Sequence, residues 1–362
     1  MFVRGLFKAM KRFEFLFSGA NAALFGGFVA FCFLFLAIQP IQKRAVTSTL
    51  ELLHVSFDPT REVIHEINDA FALDWQKFKG GKVQIFQSHG GSGSQARSIA
   101  DGLPADIASF ALFIDMESIA RKKLLHPGWE KTKGVVSPPW STAIVFVVRK
   151  GNPKHIQDWN DLGQPGIGII TPNPKISGNG RLVFLSAWGY MLQKGHSDSE
   201  VRNFLKNIYK NVPVMDASAR ASQVTFFHKK IGDVQLAFES EALMAVKESE
   251  GQLEIVYPST SIKVEPPIAV VDSNVDSKGT RDFAELYLNF FYSLEGQRII
   301  AKNGYRPSDP FVAKEFESKF PPMKLFNLNV VGNSWSEVQS VFFAEDGIFD
   351  QVFKTLRNEG KR

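Results

Sequence analysis

A single cysteine in 362 residues, Cys32, sits inside an apolar stretch near the start of the chain, so a disulfide framework and a cysteine-based metal site are excluded for the rest. The seven histidines, His54, His65, His89, His126, His155, His196 and His228, show no metal-ligand spacing. No G-x-x-x-x-G-K-S/T loop occurs, and phosphate-loop nucleotide binding therefore has no support. The formal net charge is +5, but residues 1–50 hold Arg4, Lys8, Lys11, Arg12, Lys43 and Arg44 against Glu14 alone, and the remainder carries 36 basic and 36 acidic residues. No basic run or basic-aromatic interleaving follows, which sets nucleic acid aside as a partner. With 44% hydrophobic and 22% charged residues, the chain can bury a sizeable core and suits two lobes of roughly 100–150 residues each.

From Phe15 to Gln42 there is no charged residue, and Ala22 to Ile38 is an unbroken apolar run preceded by Lys8, Lys11 and Arg12. This is an export signal. Its 17 residues exceed the usual signal core of about 7–15 and reach the lower end of the about 17–25 needed to span a membrane. No A-x-A site follows, and Phe31 stands before Cys32 where a lipoprotein cysteine wants a small residue. Residues 1–48 are thus read as a signal peptide or an amino-terminal membrane anchor. Either delivers the remainder to the periplasm, as an exported protein, free or tethered to the inner membrane.

Beyond the leader, short apolar runs alternate with helical patterns, the signature of parallel strands joined by crossover helices. Strands are expected at 50–57, 82–86, 141–149, 167–171, 212–215, 233–238, 253–257 and 267–272. Helices are expected around Val63, Ile64, Ile67, Ala70 and Phe71, near 181–193, and at 281–294. Ser137-Pro138-Pro139 and Glu265-Pro266-Pro267 bracket about 125 residues and read as crossings between lobes, because proline fixes the backbone and breaks helices. The expected fold is α/β with two lobes, each a central, mostly parallel sheet flanked by helices. Residues 49–138 plus about 266–330 form lobe 1, residues 139–265 form lobe 2, and residues 331–362 form a helical segment packing on the lobes. One large doubly wound domain is the alternative on pattern alone.

In open α/β sheets, ligands bind outside the carboxyl ends of strands, where helices begin. Four strand ends here share small or polar residues at such a threshold. The first runs into Asp58-Pro59-Thr60, with Asp58 as expected N-cap. The second runs into QSHGGSGSQARS (87–98), where Ser92 and Gln95 have capping-box spacing. Another leads through NPKISGNGR to Ser177, Gly178 and Asn179, and a fourth through DASARAS to Ala219. Each helix start presents unpaired N–H groups and roughly half a positive charge, so several converging on one cleft make an anion site. The bland reading is that each merely caps its helix. Sulfate only accepts hydrogen bonds, whereas monohydrogen phosphate needs an acceptor. The carboxylates among these loops are Asp58 and Asp216; if Asp58 caps its own helix the site favours sulfate, and if it points into the cleft phosphate becomes plausible.

The stretches VSFDPTRE (55–62), QSHGGSGSQARS (87–98), IVFVVRKGNPKHIQDWNDL (144–162), ITPNPKISGNGR (170–181), YKNVPVMDASARAS (209–222), NGYRPSD (303–309) and FAEDGIFDQ (343–351) together resemble the periplasmic sulfate-binding proteins of bacterial sulfate and thiosulfate importers. The likeness covers about 51–351. It implies a type II periplasmic-binding-protein fold, no enzymatic activity and no cofactor. It further implies a monomer that binds sulfate or thiosulfate and delivers it to the permease subunits of an ABC transporter. Carried over by motif, the ligand would meet Asp58 through its amide, Ser92 with Gly93, Ser177 with the amides of Gly178 and Asn179, and Ala219. Two positions depart from the family pattern. Asn179 stands where a second glycine is usual, and Phe238 stands where a tryptophan usually donates its indole N–H.

Rival readings are a membrane-tethered anion sensor, a binding protein for phosphate or molybdate, and a serine esterase. The last is suggested by His89-Gly90-Gly91 beside Ser92. It fails the G-x-S-x-G rule, since Ser94 ends the motif. Arg61, Arg97, Arg181 and Arg220, each just inside a helix start, are either cations attracting the anion or members of ordinary ion pairs, with Asp101 or Asp216 for instance. Trp140, Trp159 and Trp188 are expected in core or interlobe packing.

Overall fold

The computed structural model describes residues 49–359; residues 1–48, where a signal peptide or membrane anchor is expected, lie outside the described residues. Among the described residues no helix is long and apolar enough to cross a membrane. In chain order the strands are β1 (Leu50–Phe57), β2 (Val83–Gly90), β3 (Ile107–Ser109), β4 (Trp140–Ser141), β5 (Ile144–Arg149), β6 (Ile169–Pro172) and β7 (Val214–Asp216). They continue as β8 (Val234–Phe238), β9 (Leu253–Val256), β10 (Thr260–Ile262), β11 (Ile268–Val270), β12 (Arg306–Pro307) and β13 (Lys324–Phe326).

The protein has two lobes, each centred on a sheet. The first sheet has the order β11-β3-β1-β2, the second β7-β6-β8-β5-β9. Strand β1 pairs parallel with β2, from Leu50 opposite Val83 to Phe57 opposite Gly90, and parallel with β3. It is buried on both faces, since His54 and Ser56 are as inaccessible as Leu52 and Val55, as expected of a central parallel strand. The expected mostly parallel sheets need correction, for both are mixed: β11 runs antiparallel to β3, and β5 antiparallel to both β8 and β9. The reason lies in the route of the chain. Strand β5 is the first the chain lays in the second sheet and β11 the one with which it re-enters the first, so neither is placed by a crossover helix from a neighbour in its own sheet, and only parallel neighbours require one.

The chain passes between lobes after β4 and returns after β10. There Thr142 and Val264 exchange both backbone hydrogen bonds, 2.9 Å each, so the two connections lie side by side. A further correction concerns the carboxyl-terminal part. Pairing of β13 with β10 brings the chain back onto the second lobe at residue 324, before the expected 331.

The helices around the two sheets include α1 (Arg61–Lys79), α2 (Ser92–Ala100), α3 (Phe113–Ala120), α4 (Gly178–Gln193), α5 (Asp198–Lys210), α6 (Ala219–Gln223), α7 (Glu239–Glu248) and α8 (Ile348–Glu359). Helix α1 buries Val63, Ile64, Ile67 and Phe71, one stripe at helical spacing, and leaves its opposite face to solvent. Helix α4 is apolar all round and buried along nearly its whole length. Phe184 on α4 packs against Phe342, Phe343 and Phe349 at ring distances of 6.2, 5.8 and 5.7 Å, which fastens the carboxyl-terminal segment to the second lobe. Trp140, Trp159 and Trp188 are buried.

Candidate functional site

The carboxyl ends of β1, β2, β6, β7 and β8 open on one cavity of about 290 Å³ between the lobes. Asp58, Ser92, Gly93, Ser177, Gly178, Asn179, Ala219 and Phe238 all line it. The lobes touch beside it, for a Cβ on Gly178 would stand 3.4 Å from the Cβ of Ala111.

Four helix starts reach the cavity by different local means. Phe57, not Asp58, is the N-cap of the short turn Asp58–Thr60, and the Asp58 carboxylate accepts from Arg61 Nη2 at 3.0 Å. Proline at position 59 occupies one of the first positions of that turn, where a missing N–H costs nothing, and this moves Asp58 inside the turn. Gly91 caps α2 and its carbonyl takes the amides of Ser94 and Gln95 at 2.9 Å each. Ser92 and Gly93, as the first two helical residues, therefore keep amides without intrahelical partners. Ser177 caps α4 by accepting from the Gly180 amide at 3.4 Å, leaving the leading amides of Gly178 and Asn179. Gly180 is required there, because a Cβ would come 2.5 Å from the Pro172 carbonyl oxygen. Ser218 caps α6 by accepting from Ala221 at 3.2 Å, so the amides of Ala219 and Arg220 lead that short helix.

The expected capping box of Ser92 with Gln95 is absent. Gln95 Nε2 instead donates to Ser88 Oγ at 3.2 Å, and Ser92 is a helix residue whose hydroxyl turns elsewhere. It donates to Asp115 Oδ2 at 2.5 Å and accepts from the Ala111 amide at 3.0 Å. Asp115, on α3, lines the cavity and escaped the sequence reading, since nothing in Phe113-Ile114-Asp115 marks it. Burial pushes its carboxyl above the usual range, opposed by the Ser92 hydroxyl and by the charges of Arg181 and Arg97.

Arg97, Lys175, Arg181 and Arg220 also border the cavity, so cations outnumber the carboxylates of Asp58 and Asp115. Among the arginines at helix starts, Arg61 is ion-paired with Asp58, whereas Arg97 and Arg181 act on Asp115. Asp216 accepts from Thr225 Oγ1 at 2.9 Å. Asn179 is 3% exposed, and neither polar atom of its side chain has a partner or faces solvent. Phe238 is 2% exposed, the end of β8 and the N-cap of α7, and brings an apolar ring without a donor. His89 Nδ1 is bonded to Ser56 Oγ at 2.7 Å, so Ser92 and His89 do not form a nucleophile–base pair. Among the described residues no side-chain cluster is arranged to hold a metal ion. The arrangement offers main-chain N–H groups, small caps and surrounding cations to an acceptor-rich ligand.

A family model described as bacterial extracellular solute-binding protein matches residues 56–306. The sulfate-binding protein of Escherichia coli (strain K12) is 48% identical over 307 residues, 84% of this chain and 93% of its own length. The thiosulfate-binding protein of Pseudomonas aeruginosa is 43% identical over 304 residues, 83% of this chain and 92% of its own. Among solved structures, the sulfate-binding protein SubI from Mycobacterium tuberculosis H37Rv matches with a TM-score of 0.72 and 30% identity, covering 81% of this chain and 99% of that one. Since the model spans most of the described chain and these relatives align along nearly their whole length, the chain belongs to the bacterial extracellular solute-binding proteins.

Proposed function

We propose that this chain binds sulfate, with thiosulfate as the alternative ligand, outside the cytoplasmic membrane and delivers it to the permease of an ATP-driven importer. One observation carries the reading: Ser92 and Gly93, the first residues of α2 in one lobe, and Gly178, Asn179 and Ala219, the first residues of α4 and α6 in the other, border a single cavity. Relatives named for sulfate and thiosulfate binding, at 48% and 43% identity, support it. The donors are the amides of Asp58, Ser92, Gly93, Gly178, Asn179 and Ala219, together with the Ser177 hydroxyl. The dipole contribution is largest at α2 and α4, which are long enough to sustain one.

Proton bookkeeping favours sulfate over monohydrogen phosphate. One oxygen of each nearby carboxylate is engaged, Asp58 Oδ1 by Arg61 and Asp115 Oδ2 by Ser92, so a ligand that must donate a proton meets few free acceptors beside many donors. Thiosulfate is equally free of protons. Binding joins donors from both lobes, populates the closed form, and presents that form to the permease; the protein acts as a monomer and does no chemistry on its ligand. The lobes hinge at the paired connections around Thr142 and Val264, with lobe 1 as residues 49–138 plus about 266–323, and lobe 2 as 139–265 together with the carboxyl-terminal segment from residue 324.

Titration calorimetry of the purified protein with sulfate, thiosulfate, phosphate and molybdate tests this. Saturable binding of sulfate or thiosulfate, with compaction in small-angle scattering, is the expected result. No binding of either, or tighter binding of phosphate than of both, overturns it.

A further inference from the structure

The segment FAEDGIFDQ (343–351) borders no part of the cavity, yet it grips the loop that leads to Ser177. Lys175, two residues before that serine, donates from Nζ to the Ala344 carbonyl at 3.0 Å and to Asp350 Oδ2 at 2.8 Å. Asp350 is itself fixed, because the same oxygen accepts from the Asp346 amide at 3.0 Å. Phe343, one residue before Ala344, packs on Phe184 and lies beneath the Arg181 guanidinium at 5.8 Å. Arg181 in turn donates to the carbonyls of Pro174 and Lys175 at 3.1 and 3.4 Å.

The loop's remaining hydrogen bonds are those of its own turn and one to β7, where the Asn173 amide donates to the Asp216 carbonyl at 2.8 Å. The amides of Lys175 and Ser177 donate to Asn173, one to its side chain and one to its carbonyl, at 2.9 Å each. These bonds set the turn and hold its start to β7, but none of them reaches α4. The turn's position relative to α4 is set by Arg181 from within the helix and by the carboxyl-terminal segment from outside. The side chains of Lys175 and Asp350 are 31% and 24% exposed, partly withdrawn from water, where an ion pair with a second acceptor holds its geometry better than an exposed one.

We infer that Lys175 and Asp350 form a clamp through which residues 343–351 position the Ser177–Asn179 donors. Its consequence for ligand affinity rests on the anion-binding reading; its geometry does not. A loop held in its bound shape before the ligand arrives loses less freedom on binding, so the clamp raises affinity without touching the ligand. Lys175 also borders the cavity, and the competing account is that its ammonium simply attracts the anion.

Two measurements on the full chain decide between them. In the ligand-free protein, Asp350→Asn and Lys175→Met each speed amide hydrogen exchange in peptides spanning 174–180 by about tenfold, with other regions unchanged. Wild-type exchange at 174–180 in both variants overturns the clamp, and this readout stands even if the wild type binds neither sulfate nor thiosulfate. In sulfate titrations each single change weakens binding by about five- to tenfold, the double variant is no weaker than the poorer single, and Asp350→Glu stays near wild type. Tighter binding in Asp350→Asn, as expected of a freed attracting ammonium, overturns it.

Discussion

The Ser92 hydroxyl donates to Asp115 Oδ2 at 2.5 Å while accepting from the Ala111 amide at 3.0 Å. Its only hydrogen is thus spent inside the first lobe, and what Ser92 offers the cavity is its backbone amide. The bond also fastens the start of α2 to the start of α3, the two elements that shape the first lobe's side of the site.

Ser92→Ala leaves a buried carboxylate and a buried amide without their partner, and is expected to cost about 1–3 kcal/mol of stability. Urea unfolding of the full chain measures it. An unchanged midpoint and slope would show that Asp115 and Ala111 find other partners.

Phe238 supplies no donor where the cavity wall comes from β8. Phe238→Trp is expected to tighten sulfate binding, since one added bond to a charged acceptor is worth about 1.5–3 kcal/mol, less any strain from the larger ring at a buried position. Calorimetry of the pair checks this. Sulfate binding in the wild type as tight as in the variant disposes of a role for the missing donor.

Glu241 borders a smaller cavity that Asp58, Glu62 and Arg220 also line. Burial raises its carboxyl from the ordinary 4.5 to about 8, with Arg220 opposing and Asp58 and Glu62 adding to the rise. A raised carboxyl contributes most below its unfolded value, and that contribution is lost as pH climbs through the window to the folded value. Glu241→Gln should therefore gain stability relative to wild type as pH rises from about 4.5 to about 8. Melting temperatures of both proteins across that range would be parallel if Glu241 were solvated.

His54 is fully buried, bonded to the Tyr287 hydroxyl at 2.9 Å and to Ser109 Oγ at 3.0 Å, and desolvation lowers it from 6.5 to about 3, with the neighbouring His89 adding to the effect. A depressed base contributes stability above its unfolded value and loses it as pH falls toward the folded one. Stability should drop by up to about 1.4 kcal/mol per pH unit below pH 6.5 from this residue, and His54→Gln should remove that part of the slope. Denaturant titrations at pH 7, 6, 5 and 4 supply the comparison, and equal slopes in the two proteins would refute it.

Much of this was written in contiguous residues. Apolar runs such as LELLHVSF and IVFVVR announce their strands, and the Gly, Ser and Asn residues that follow strand ends announce helix starts with open amides. Those features are short-range because a strand's face and a helix's first turn are each set by a few neighbouring residues. The caps were less legible: a proline one position on moved Asp58 from cap to first turn, and Ser92 turned to a partner 23 residues away. The direction of β5, the place of Asp115 in the cavity wall, and the grip of Asp350 on Lys175 across 175 residues arise from how the chain routes between its two sheets. No local pattern specifies such pairings, because the energy that selects them exists only once both lobes have formed.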